Sequence, residues 1–382
     1  MPQSAHRLTY FADSVINQMT LLARRSGAIN LASGFPDFNP PEELLAAAER
    51  ALRAGYNQYA IPWGSTHIRQ ALAAKQSRWM GLEIDPDAHI TVTCGGTEAM
   101  LAAMLSVCNP GDRVIVFSPF YETYEPDIAM CGAEPVFVTL HPPQFNFDPA
   151  ELRRAFQQHP KALILCNPSN PCGKVFTPQE LQIIADLAQE FDTLVITDEV
   201  YEHIVYPPNF HTYLASLPGM FERTLSCGSL SKTYAITGWR LGYVIASPQL
   251  TAGVRKVHDY LTLCAAAPLQ EAAATALAFP ESYYHELQAG YIRRRDIFLQ
   301  GLQQAGLAFS EPQGAYFVLA DISRFGFEND LSFCTWLVEK TGVAGVPGSS
   351  FFHEPIHHYI RLNFAKKDET LFEACRRLAQ LA

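Results

Sequence analysis

The sequence predicts an α/β fold in three layers, a mostly parallel sheet with helices on both faces, with a smaller α/β unit after it. Three observations predict it. Short β-prone runs alternate with helix-like stretches between Ile90 and Ala246. Those runs are rich in Val, Ile and Leu without polar alternation, as strands buried on both faces are. Beyond Leu250 the texture changes to long helices with shorter strands between them.

In chain order, Ile90–Thr93 reads as a strand and Thr97–Val107 as a helix. The turn Asn109-Pro-Gly-Asp leads into a strand at Arg113–Phe117, then a helix at Tyr121–Met130 and a strand at Val136–Leu140. A helix at Pro149–Gln158, a strand at Ala162–Cys166, a helix at Pro178–Glu190 and a strand at Thr193–Thr197 follow. Arg223–Ser226 and Trp239–Ala246 complete the first set of strands. Such alternation means βαβ units. Val254–Leu263 and Leu269–Leu302 then read as long helices. Strands at Ala315–Ala320, Gly342–Val346 and Tyr359–Phe364 are interleaved with helices at Leu331–Lys340 and Glu369–Leu381.

The chain has 382 residues, 48% hydrophobic and 17% charged, enough apolar material for a large core. Its net charge of −10 argues against a general nucleic-acid binder, which needs basic patches. A local cationic cleft for a small anion remains compatible with that charge. The nine cysteines are scattered, with no CxxC, so they read as free thiols in a reducing, cytoplasmic setting. The first 27 residues lack an apolar signal segment, and no run is long enough to span a membrane.

Two motifs mislead. His353-Glu-Pro-Ile-His357 spells H-E-x-x-H, but a zinc site needs that motif within a helix. Pro355 in its centre disfavours one, so a loop without metal is expected. Gly228-Ser-Leu-Ser-Lys232-Thr233 resembles the end of a P-loop, yet Ser231 stands where the loop requires Gly. No G-x-S-x-G elbow supports a serine hydrolase.

Four other segments each end a predicted strand, where open α/β sheets place ligands. Cys94-Gly95-Gly96-Thr97-Glu98 joins strand to helix, and the free amides of a new helix favour an anion. Asn167-Pro-Ser-Asn170-Pro-Cys-Gly173 is a rigid turn able to present an amide. Thr197-Asp198-Glu199-Val200-Tyr201 puts a carboxylate and a phenol at another strand end. Ser229-Leu-Ser231-Lys232 precedes Gly238-Trp-Arg240, a lysine flanked by hydroxyls with an arginine eight residues on. Any one of them alone is ordinary turn or capping chemistry.

Together they resemble the fold-type I pyridoxal-phosphate enzymes, specifically the class I/II aminotransferases, over nearly the whole chain. Ala32-Ser-Gly34-Phe-Pro-Asp-Phe38, Asn57-Gln-Tyr59 and Ile360-Arg361-Leu-Asn-Phe-Ala365 resemble the methionine aminotransferase and kynurenine aminotransferase/cysteine-conjugate β-lyase branch. The resemblance implies pyridoxal 5'-phosphate as cofactor and a ping-pong exchange between an amino acid and a 2-oxo acid. It implies that Lys232 forms the Schiff base and then shuttles a proton. Asp198 would keep the pyridine nitrogen protonated, and Asn170 and Tyr201 would bond the phenolic oxygen. Gly95, Gly96, Thr97, Ser229 and Arg240 would hold the phosphate. Tyr121, with Phe120 as the neighbour it could be confused with, would stack on the ring. Tyr59 would reach the partner subunit's phosphate, which implies a homodimer with shared sites. Arg361, with Asn170 and the backbone at Gly34, would take the substrate carboxylate as a bidentate pair.

The resemblance also implies a large domain over 41–275 and a small one over 276–382, with residues 1–40 packing on the latter. The segment Val257–Cys264 lacks the second arginine of dicarboxylate-specific relatives. Trp63, Tyr260, Leu263 and Phe35 are candidates for an apolar side-chain pocket. A neutral sulfur-containing or aromatic donor is therefore expected, with a β-lyase acting on cysteine conjugates as the alternative. Non-enzymatic regulators of this fold usually carry an added DNA-binding domain; with no basic block in these residues and little room before Ser33, an enzyme is expected instead.

Overall fold

The structure, a computed structural model, describes residues 5–382. Its largest sheet has eight strands, in the order Ile90–Thr93, Gly242–Ile245, Thr224–Ser229, Leu194–Asp198, Ala162–Cys166, Arg113–Ser118, Glu134–His141 and Asn146–Phe147. The five strands from Thr224–Ser229 to Glu134–His141 run parallel to one another. Gly242–Ile245 is antiparallel to both its neighbours. Every residue of Ile90–Thr93 and Ala162–Cys166 is buried, which is why these runs are continuous rather than alternating. Helices begin where the sequence supplies caps. Thr177 and Glu180 form a reciprocal capping box around Pro178 at the start of the helix Pro178–Glu190.

Because the central strands are parallel, Ser118, Cys166, Asp198 and Ser229 all fall at one edge of the sheet. That edge carries the functional segments. A second, four-stranded antiparallel sheet runs Ala308–Phe309, Phe317–Asp321, Tyr359–Asn363, Val346–Pro347. The helix Val15–Ser26 contributes Met19 and Ala23 to a core shared with Phe298, Phe333 and Leu362. Ile29–Asn30 pairs in parallel with Val343–Ala344.

Two expectations are corrected, and two helices are added. The helix expected over Leu269–Leu302 is two helices, Ala267–Leu277 and Glu281–Gln304, with Pro280 as the extended cap of the second. Proline cannot continue the first helix and restricts the residue before it. The strand expected over Gly342–Val346 is split at Gly345 between two sheets. A β-carbon at Gly345 would lie 2.8 Å from Leu362 Cδ2 and 3.3 Å from the Arg361 carbonyl, so any side chain at this crossing would make Leu362 move. The helices Glu42–Arg53 and Thr66–Met80 were absent from the sequence reading.

Candidate active site

Gly34, Gly96, Thr97, Tyr121, Asn170, Asp198, Tyr201, Ser229, Lys232, Arg240 and Arg361 line one cavity of about 280 Å³ at the edge of the large sheet. Gly95 lies one step behind, against the Arg240 guanidinium, with φ +87°. No side chain fits between them, and that contact lets Arg240 face the start of the helix Gly96–Val107. Tyr59 lies away from the cavity and is 82% exposed.

Lys232 sits in the one-turn helix Leu230–Thr233, directly after the strand that ends at Ser229. The Ser229 hydroxyl accepts from the Ser231 amide at 3.1 Å and fixes that turn. Lys232 Nζ donates to the Gly34 carbonyl at 2.7 Å, and the Tyr316 hydroxyl donates to the same oxygen at 2.8 Å. Burial lowers the Lys232 pKa to about 8; Asp198 opposes this, and Arg240 and Arg361 add to it. A pH dependence follows. The amine is protonated below about 8 and neutral above it. Covalent loading of the apo-protein should therefore quicken with pH and level off above about 8. Stopped-flow absorbance of loading against pH checks this; a rise continuing past pH 10 would contradict it.

Asp198 ends its strand and is 6% exposed. The Tyr124 hydroxyl donates to its Oδ2 at 2.7 Å and the Val200 amide to its Oδ1 at 3.4 Å. Burial raises its pKa, against those bonds and Lys232. The turn that follows carries Tyr201 and is fixed from behind. Glu202 accepts from Lys75 at 2.7 Å, from Tyr213 at 2.6 Å and from Gln76 at 3.1 Å, all buried. Tyr201 itself meets Tyr316 and Phe317 edge-on.

Arg361 lies mid-strand, 1% exposed. Its Nη1 donates to Asn170 Oδ1 and its Nη2 to the Ala32 carbonyl, each at 2.8 Å. The rings of Phe317 and Phe351 lie 4.3 Å and 4.6 Å from its guanidinium. Burial brings its pKa down to about 10, so it remains a cation at neutral pH. Tyr121 lines the cavity, whereas Phe120 is buried in the core and stacks on Phe137 at 5.5 Å.

Of the four apolar pocket candidates, Phe35 lines the cavity. Trp63, Tyr260 and Leu263 do not: Trp63 lies under Arg255, and Tyr260 is 92% exposed. The sequence reading left Tyr124, Ser231 and Tyr316 without roles. Tyr124 lies three residues past Tyr121, and Ser231 precedes Lys232, so spacing could have found both. Ile16, Asn17 and Thr20 also line the cavity, and they had no signal of their own. His353–His357 is loop, its Glu354 accepting from Ser118 and Thr139 and its His353 stacked on Phe137. No helix among the described residues is long and apolar enough to cross a membrane.

An amine that can be neutral, a buried carboxylate, a helix start beside an arginine, and a buried guanidinium thus share one cleft. This is the equipment of an enzyme that holds a phosphorylated carbonyl cofactor and an amino acid. The sequence family described as Aminotransferase class I and II matches residues 26–378, and the chain belongs to it. The Escherichia coli (strain K12) methionine aminotransferase is 38% identical, over 100% of this chain and 98% of its own. The human kynurenine–oxoglutarate transaminase 1 is 36% identical, over 92% of this chain and 91% of its own. The solved N-succinyldiaminopimelate aminotransferase of Mycobacterium tuberculosis superposes with a TM-score of 0.96 at 41% identity, covering 100% of both chains.

The chain is therefore an aminotransferase, and members of its family use pyridoxal phosphate. The residues present fit that group. The buried Ser231 hydroxyl lines the cavity without a partner. A β-carbon at Gly96 would lie 3.2 Å from Val200 and 3.4 Å from Ser229, so the helix start is stripped to backbone. First-turn amides, hydroxyls and Arg240 suit a phosphate, Asp198 suits a ring nitrogen cation, and Lys232 suits an aldehyde.

Proposed function

We propose that this aminotransferase takes the amino group of a neutral sulfur-containing or aromatic L-amino acid, methionine-like in size, and passes it to a 2-oxo acid by a ping-pong course. One observation carries the choice of donor. The cations lining the cavity among the described residues are Lys232, Arg240 and Arg361. Each has a task in the common chemistry, which leaves none for a carboxylate on the donor's side chain. The wall beside Gly34 and Arg361 offers Ile16, Phe35 and Phe317 instead.

The bound cofactor supplies an electron sink for the substrate's α-carbon. In this reading Lys232 anchors the cofactor and then moves the proton at that carbon. Asp198 keeps a positive charge on the ring nitrogen, with Tyr124 orienting it. Asn170 and Tyr201 bond the phenolic oxygen, and Tyr121 covers the ring. The Gly96 and Thr97 amides, Ser229 and Arg240 hold the phosphate, with Gly95 giving the room. Arg361 binds the α-carboxylate through its paired N–H groups, a geometry Lys lacks. Asn170 already meets Arg361, and Gly34, whose carbonyl holds Lys232 and Tyr316, closes the site from the N-terminal side.

The reading includes a homodimer in which Tyr59 reaches the partner's phosphate. Tyr59, Ile61, Tyr260 and Leu261 are exposed. They lie on adjacent segments, because His258 Nε2 bonds the Pro62 carbonyl at 2.8 Å. Such large apolar side chains in water favour burial against a second copy.

Steady-state kcat/KM across methionine, phenylalanine, kynurenine, aspartate and N-succinyl-diaminopimelate tests the donor. A neutral donor should exceed aspartate by about 10-fold or more. A preference for aspartate, or for the succinylated diacid, would overturn the reading.

A further inference from the structure

The cradle that the proposed reading assigns to the phosphate has a carboxylate beside it. Glu98 is in the first turn of the helix Gly96–Val107, so its carboxylate is itself an anion at the helix start. Left free, it would compete with a phosphate for the first-turn amides, which have no partner within the helix.

The structure shows where that carboxylate is held. Glu98 Oε2 accepts from the Cys94 amide, in the turn just before the helix. Glu98 Oε1 accepts from the Thr262 hydroxyl at 2.8 Å and meets His258 Nδ1 at 2.8 Å. None of these donors is a first-turn amide. His258 is fully buried near the end of the helix Pro248–Leu261, and its Nε2 faces the Pro62 carbonyl at 2.8 Å.

The charge state of this clasp follows from the donor count. A carbonyl only accepts, so His258 Nε2 carries a proton. Two donors besides His258, the Cys94 amide and the Thr262 hydroxyl, converge on the Glu98 carboxylate, which favours its ionised form. Nδ1 must then carry a proton as well, and His258 is an imidazolium. The directions of titration agree. Burial pulls the His258 pKa down, but Glu98 and the Pro62 carbonyl outweigh it and the net shift is up. For Glu98 burial pushes up, but His258 and the Cys94 amide outweigh it and the net shift is down.

We propose that His258 is a positioning residue for cofactor binding: its imidazolium neutralises Glu98 and holds that carboxylate away from the first turn, leaving the Gly96 and Thr97 amides for the phosphate. The same clasp ties the cradle to Pro62 and Thr262, whose segments carry Tyr59 and Tyr260. This inference rests on the assignment of the phosphate to the helix start, and the test separates the two.

Apo-protein is titrated with pyridoxal 5'-phosphate and with pyridoxal, which lacks the phosphate, and the preference for the phosphate is read as a ratio, the dissociation constant of pyridoxal divided by that of pyridoxal 5'-phosphate. His258→Asn should reduce that ratio by about 10-fold or more, because it leaves an unneutralised carboxylate at the anion site. Glu98→Gln/His258→Asn should recover it to within about 3-fold, a non-additivity that mere loss of packing would not give. Thermal melting of each variant accompanies the titration. An unchanged ratio in His258→Asn, an equal loss for both ligands, or a double variant worse than the single would overturn the role of His258. If His258→Asn does not fold, the double variant decides alone: a ratio about 10-fold below wild type overturns the role. Wild-type protein with no preference for the phosphorylated ligand, unaltered by Arg240→Gln, would instead overturn the cradle itself and with it the inference.

Discussion

Lys232→Ala is expected to lower transamination by about 10³–10⁴-fold while the protein still binds its cofactor non-covalently. The size of the effect follows from the two tasks the proposed function gives this amine, attachment and proton transfer, which no neighbour duplicates. Arg240 and Arg361 are permanent cations, and neither can accept a proton at neutral pH. Lys232 alone among the cavity's cations is tuned near neutrality, with burial bringing its pKa to about 8. The fold should survive the change. The Gly34 carbonyl that accepts from Lys232 keeps its second donor, the Tyr316 hydroxyl. Single-turnover rates with methionine, beside an equilibrium titration of cofactor, check both halves. Near-normal turnover would refute the assigned role.

Asp198→Asn should lower kcat by about 10²–10³-fold with the cofactor retained. The amide has the carboxylate's shape: its one oxygen can accept from the Val200 amide while its NH2 donates to the Tyr124 hydroxyl oxygen, so the strand end need not rearrange. What it loses is the negative charge, which in the proposed reading keeps a ring nitrogen cationic and the ring electron-withdrawing. The carboxylate is buried at the sheet edge, where a charge acts strongly because water does not screen it. The loss should therefore appear in the chemical step, with KM little changed. A variant whose KM rises while kcat holds would place Asp198 in substrate binding instead.

Much of the architecture was legible because its signals are local. Ala162–Cys166 and Pro178–Glu190 have the boundaries that apolar continuity and the Thr-Pro-Gln-Glu cap specify. The cleft was legible for a related reason. Parallel strands bring their C-terminal ends together, so motifs distant in sequence converge once each is placed at a strand end. Other features depend on contacts the chain alone does not display. The helix Glu42–Arg53 is an exception, since Leu44, Ala47, Ala48 and Ala51 recur at helical spacing after Pro40-Pro41, yet it went unread. Gly345 looks like a weak strand residue until Leu362 is seen against it. Ile16 and Asn17 enter the cavity because the helix Val15–Ser26 packs on distant residues, and its own pattern does not say what it faces. His258 was read only as a position lacking arginine, since its partner Glu98 lies 160 residues away.

The central claim is that this cavity, with Lys232 as its reactive amine, is the cofactor site of the aminotransferase. The most direct test is borohydride reduction of cofactor-loaded protein followed by proteolysis and mass mapping of the modified peptide. The expected result is loss of the yellow colour with the pyridoxyl group fixed on Lys232 and on no other lysine. A group fixed on Lys75, Lys174 or Lys366 instead, or a protein that stays colourless after cofactor addition, would contradict the claim.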